Sequence, residues 1–127
     1  MKTIADELVA ALAGIPECFY QLNPKPAAEI VYPYAVFGFS YMPTADQPRG
    51  TYTVTLEIDL FDRGPNALRL LNTEETVVDS LGHYRAMRPA AWSMATLDQA
   101  LDVPTLVDGL HRRHLQFDIR MTLREKG

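Results

Sequence analysis

The residues with most potential for chemistry in this chain are two histidines, a scatter of acids and one cysteine. His111 and His114 stand three apart, a spacing that brings two imidazoles to one metal only when both lie on one face of a helix. The segment around them alternates like a strand, where residues three apart point to opposite faces, so no metal site is expected. Arg112 and Arg113 are divided in the same way and make no one-sided phosphate clamp. Asp98, Asp102 and Asp108 make an acidic stretch, but calcium loops need ligands at closer, fixed intervals around a central glycine, and a solvated loop is expected. Cys18 has no adjacent basic residue to favour its thiolate. No Gly-x-Ser-x-Gly, Gly-x-Gly-x-x-Gly or Walker-type loop occurs. The chain is therefore expected to carry no catalytic residue and no cofactor.

Glu74 is the one acid in an odd place. It falls inside the apolar stripe of Ala67, Leu70, Leu71, Val77, Val78 and Leu81, where an unpaired carboxylate is costly. Either it reaches an arginine such as Arg85, Arg88 or Arg113, or it lies where the stripe meets solvent, or it is a charge at a subunit interface. Trp92 and the group Tyr32, Tyr34, Phe37, Phe39 and Tyr41 could stack on bases, yet core packing or a protein interface accounts for them without a basic setting.

The elements that hold these residues follow from periodicity. Thr3 suits an N-cap, and Ile4, Leu8, Ala11, Leu12 and Ile15 share one side of a helix over about residues 3 to 13, closed by Gly14 and Pro16. Cys18 to Leu22 reads as an edge strand that ends in Asn23-Pro24-Lys25-Pro26. Tyr34 to Tyr41 is rich in aromatic and β-branched residues and reads as a second strand, followed by a loop from Met42 to Gly50. From Thr51 to Phe61, Tyr52, Val54, Leu56, Ile58 and Leu60 alternate with polar residues without a break. Asp62-Arg63-Gly64-Pro65 ends that strand, and Asn66 caps a helix that reaches Leu81 with Gly82 as its stop. A short strand is centred on Ala91 to Met94, Leu97 to Gly109 reads as a loop, and a long alternating strand closes the chain at Leu123. The expected class is α+β, a mainly antiparallel sheet of long strands packed by two helices in the order α-β-β-β-α-β-β.

Composition sets the outer bounds. A chain of 127 residues, 47% hydrophobic and 22% charged, suits one domain over 1–127. A net charge of -4 argues against general nucleic-acid binding, although a local basic patch remains compatible. A single cysteine permits no internal disulfide. There is no secretory signal and no apolar run of membrane-spanning length, which fits a cytoplasmic protein. Strand length adds one inference. Thr51 to Phe61 extends to roughly 35 Å and His111 to Leu123 to roughly 40 Å, near the diameter of the whole domain. Such strands must bend, or protrude and be covered by a neighbour.

This order of elements resembles the tail-terminator family of long-tailed bacteriophages and prophages, also called tail-completion or tail-to-head joining proteins. The likeness rests on the N-terminal helix, on Pro33-Tyr34-Ala35-Val36 opening a strand, on Thr53 to Asp62 leading into a helix, and on His111 to Ile119 at the close. The resemblance implies a ring, commonly hexameric, that terminates the tail tube and joins it to the head-side connector while DNA passes through without specific binding. It also implies assembly in the host bacterial cytoplasm and residence in the virion tail. An acidic channel would let DNA slide. A head-to-tail ring uses two different patches per subunit; one is placed on the polar face of Thr53, Thr55, Glu57 and Asp59, the other around Arg112, Arg120 and Arg124, with Glu74 as a further interface candidate. The alternatives are a non-catalytic adaptor that binds a partner by strand addition, and a ligand-binding domain, which would require a polar pocket around Glu74 and Arg113.

Overall fold

A computed structural model describes residues 2–12, 15, 17–43, 51–83, 90–92 and 95–123. The expected α+β class and order are observed, with one strand more than the sequence pattern indicates. In chain order the elements are α1 (Lys2–Ala11), β1 (Cys18–Tyr20), a 3-10 turn (Ala27–Glu29), β2 (Tyr34–Pro43), β3 (Thr51–Arg63), α2 (Leu68–His83), β4 (Ala90–Trp92), β5 (Thr96–Val103) and β6 (Leu110–Leu123). They form a six-stranded sheet in the order β1-β2-β3-β6-β4, with β5 also paired to β6. Only the β1–β2 pair is parallel.

The unbroken alternation of β3 becomes burial of one face. Val54, Leu56, Ile58 and Leu60 are buried together with Leu115, Phe117, Ile119 and Met121 of β6 and with Ala35 and Phe37 of β2. Leu8, Ala11 and Leu12 of α1 and Leu70, Val77 and Leu81 of α2 join the same cluster. Both helices thus cover one side of the sheet, and the other side has no helix among the described residues. Asn66 caps α2 as expected, its Oδ1 accepting the Leu68 N–H at 3.0 Å. Gly82 lies within α2, which runs to His83, and Thr3 lies within α1; both differences are within the fraying of helix ends. Gly14 and Pro16 fall outside the described residues, as do Arg85, Arg88, Ser93, Met94 and the 44–50 part of the expected loop.

The loop expected from Leu97 to Gly109 is corrected. Thr96–Val103 is a strand, antiparallel to β6. A bulge between Leu97 and Gln99 throws the two halves of β5 out of phase, so no single two-residue period runs through the sequence. The long strands cover each other: β3 pairs with β6 from Thr51↔Thr122 to Arg63↔Leu110, and β2 covers the other edge of β3 from Tyr34↔Phe61 to Pro43↔Tyr52. β3 is therefore internal to the sheet, and among the described strands the free borders belong to β4 and β5 on one side and to β1 and the far end of β2 on the other.

Candidate functional site

The helix-free face collects the polar residues of both long strands. Because directly paired residues share a face, the register Thr53↔Arg120, Thr55↔Asp118, Glu57↔Gln116, Asp59↔His114 and Phe61↔Arg112 makes a single surface of residues that the sequence reading assigned to two separate patches. Arg112 Nε donates to Asp59 Oδ1 at 3.1 Å, and His114 Nδ1 lies 3.0 Å from the same oxygen. Glu57 Oε1 is 3.8 Å from His114 Nε2. The residues of the two expected patches therefore lie side by side on one face. Period shows which side of its own strand a residue takes, but not that both strands turn their apolar sides under the same helices. Arg124 lies outside the described residues.

At one end this face becomes aromatic and concave. Tyr34 and Phe61, paired across β2 and β3, stack with centroids 4.8 Å apart and planes 13° apart, and the Arg112 guanidinium sits 5.4 Å from the Phe61 centroid. Burial, with a smaller push from Tyr32, raises the Tyr34 phenol above its ordinary pKa and keeps it protonated. The stack floors a hollow of about 340 Å³ whose lining includes Leu22, Ile30, Tyr34, Val36, Phe61 and Arg112. An adjoining hollow of about 260 Å³ shares Val36 and Asp59 and adds Glu57 and His114. The sequence reading missed this site because Leu22, Ile30 and Phe61 are far apart in the chain and meet only once β1, β2 and β3 lie side by side.

The opposite side of β6 answers the question of Glu74. Arg113 Nε donates to Glu74 Oε1 at 2.6 Å, and Arg113 Nη1 donates to Asp102 Oδ1 at 3.0 Å. One guanidinium thus ties α2, β6 and β5 together, and these bonds raise the Arg113 pKa, Glu74 contributing most. Beside Glu74 lies a depression of about 270 Å³ whose lining is Glu74, Glu75, Val78 and Asp79. Arg113→Met keeps the aliphatic stem and removes the donors, which leaves a mostly buried carboxylate unpaired. A loss of about 1 to 2 kcal/mol is expected in urea unfolding; an unchanged midpoint would show that the bridge does not stabilise the fold.

The remaining candidates lie apart from one another. His111 Nε2 is 3.0 Å from the Gly64 carbonyl oxygen, on the opposite side of β6 from His114. Asp98 accepts from Gln116 at 3.2 Å, Asp102 is engaged by Arg113, and Asp108 lies in the β5–β6 turn, so the three acids do not converge. Among the described residues, no group of three or more His, Cys, Asp or Glu side chains could hold a metal. Burial pushes the Cys18 thiol up to about 11, which leaves it protonated near neutral pH. No described helix is long and apolar enough to cross a membrane.

A second latch went unnoticed in the sequence. Asp62 is buried and accepts from Arg69 Nε at 2.8 Å, from Arg69 Nη2, and from its neighbour's backbone N–H at 2.7 Å. The signal was present, since Asp62 continues the core-facing phase of Leu56, Ile58 and Leu60 by one more step.

No family model matches this chain, and no curated protein matches it. Among solved structures it is similar to a chain of the "Virion of native gene transfer agent (GTA) particle", with a TM-score of 0.67 and 17% sequence identity over 91% of this chain and 84% of that chain. At that identity the likeness shows a shared fold.

Proposed function

We propose that this chain is a phage or prophage structural protein, one tail-terminator-like domain that forms a ring at the head-proximal end of a long tail. The ring terminates the tail tube and joins it to the head-side connector. The observation that carries this reading is the fold shared with a virion chain over nearly its whole length. The family likeness in the order of elements supports the finer role. A hexamer is proposed, assembled in the host cytoplasm, with DNA passing through the channel without specific contacts, and the chain is proposed to act without catalysis.

The helix-free face, with Thr53, Thr55, Glu57, Asp59, Arg112 and Arg120, is proposed to lie against neighbouring proteins of the assembly. Light scattering on the purified 14.3 kDa chain is expected to give a mass near six subunits at high concentration or on isolated tail tubes. Glu57→Lys and Arg120→Glu each reverse a charge on this face and are expected to raise the concentration needed for assembly by about tenfold. Unaltered assembly in both variants would remove this face from the contacts. A chain that stays monomeric even on tail tubes would overturn the ring.

One observation favours a second reading. β5 pairs with β6 on one side, and no described strand pairs with its outer edge, which suits strand addition by a partner. In that case a monomer would bind its partner with new amide-exchange protection confined to 96–103.

A further inference from the structure

The far end of β2 leaves main-chain groups at an open sheet edge. β1 covers β2 only from Cys18↔Ala35 to Tyr20↔Phe37. Gln21, with φ at +68°, then turns the chain away, and the Leu22 N–H donates to the Tyr20 carbonyl at 2.9 Å. Among the described residues, no strand pairs with this side of β2 beyond Phe37. Main-chain groups along a strand point alternately to its two neighbours. The Ala35 N–H donates to the Glu17 carbonyl and the Gln21 N–H to the Phe37 carbonyl, both at 2.8 Å, so Phe39 and Tyr41 continue the outward phase. Each turns one N–H and one carbonyl to the open side, until Pro43, which has no N–H. Ser40, Tyr41, Met42 and Pro43 are all exposed.

A row of rings runs beside this edge on the side of the sheet that carries the core. Tyr20, Phe39, Tyr41 and Tyr52 make successive contacts with centroids 5.8, 6.4 and 5.6 Å apart. Phe39 and Tyr52 pack against the core, whereas Tyr20 is 47% and Tyr41 42% exposed. On the other side Gly38 leaves open space, with nothing within 4 Å of the place a Cβ would take, and its cross-strand neighbour is Glu57. Sheet edges are ordinarily blunted by charges, proline or a bulge. β5 has such devices in Asp98, Asp102 and the bulge between Leu97 and Gln99. From Gly38 to Met42 the sequence holds no charge and no proline, and the register with β3 is unbroken. Of the two long free edges, that of β2 is therefore the better acceptor.

We infer that the Gly38–Pro43 edge accepts an extended segment of a partner protein as an added antiparallel strand, over roughly 20 Å at about 3.3 Å per residue. The chemistry of the edge sets the character of that segment. Its residues opposite Phe39 and Tyr41 exchange main-chain hydrogen bonds with them and lay apolar side chains on the row of rings. The residues between are not acidic, because a carboxylate there would approach Glu57 across the bare Gly38. A second copy of this chain fits less well. Its β5 edge is charged and bulged, and β2 against β2 with Phe39 opposite Tyr41 would set Pro43 opposite Phe37, where Tyr20 already lies. The inference concerns this edge alone and is independent of the ring proposed above.

Hydrogen exchange of the full chain, with a terminally blocked seven-residue peptide of alternating valine and threonine as the probe, tests it. The peptide is expected to slow exchange of the Phe39 and Tyr41 amides and to leave 96–103 unchanged. N-methylation of its valines is expected to weaken binding about tenfold, the loss of one net hydrogen bond or more, and glutamate in place of threonine is expected to weaken it as well. Tyr41→Pro removes an outward N–H without touching the ladder to β3 and is expected to bind the peptide less well than Tyr41→Ala, which keeps that N–H. Should Tyr41→Pro fail to fold, the N-methylated peptide decides, since it leaves the protein unaltered. Equal binding of the N-methylated peptide, protection at 96–103 in place of β2, or no binding of the unmodified peptide at millimolar concentration would overturn the inference. Protection of Phe39 and Tyr41 that grows with protein concentration in the absence of peptide would overturn the partner segment in favour of a second copy.

Discussion

Replacing Phe117 by alanine should remove about 3 to 5 kcal/mol of folding stability, a large part of the 5 to 15 kcal/mol typical of such domains. Phe117 is 1% exposed in the middle of β6, paired with Leu56 on one side and Leu97 on the other. Its ring touches the core shared by sheet and helices, and the sheet on either side cannot collapse into the vacated space without breaking register. Urea unfolding followed by circular dichroism measures the effect, at a protein concentration low enough that self-association does not add to stability. Met42→Ala is the comparison: Met42 is largely exposed at the end of β2, and its loss should fall within about 0.5 kcal/mol. Equal effects from the two substitutions would mean that the core is not where the buried residues place it.

The second large effect is expected at Asp62. Asp62→Asn keeps the shape but removes the charge that Arg69 and the Arg63 N–H engage, and should cost about 2 kcal/mol at pH 7, as for a charge-assisted hydrogen bond in a buried setting. The Arg69 bond, opposed by desolvation and aided by the Arg63 N–H, holds the Asp62 carboxyl below its ordinary pKa. A folded-state pKa below the unfolded value means that the carboxylate contributes its full stability above the unfolded pKa, about 3.9. That contribution is lost as pH falls through the lower, folded pKa. The gap between wild type and Asp62→Asn should therefore be constant from pH 7 to 5 and close below about pH 4. A gap independent of pH down to 2 would show that Asp62 acts through shape or solvation and not as a charge.

Much of the fold was legible because burial imposes a period. The alternation in β3 and β6 gave their core faces residue by residue, since a strand with one covered side has no other way to hide Val54, Leu56, Ile58 and Leu60. Asn66 was readable as a cap because its short side chain meets an otherwise unpaired N–H. β5 was not readable: its bulge shifts the phase, and its acids Asp98 and Asp102 resemble a solvated loop until Gln116 and Arg113 are seen beside them. Glu74 was legible as a problem, with Arg113 among its possible partners, but the register that selects Arg113 was not.

The contrast is sharpest for the residues with which chemistry was first sought. By itself the sequence determined that His111 and His114 take opposite faces, that Cys18 has no activating neighbour in the chain, and that the long strands carry one wet side each. These are consequences of local geometry, fixed by the two-residue repeat of a strand. Only the tertiary structure decided that the two wet sides merge into one face with Arg112 engaged by Asp59, and that Leu22, Tyr34 and Phe61 enclose a hollow. Such relations depend on which strands become neighbours and in what register, and that is settled by the packing of the whole core against both helices, to which no local period refers.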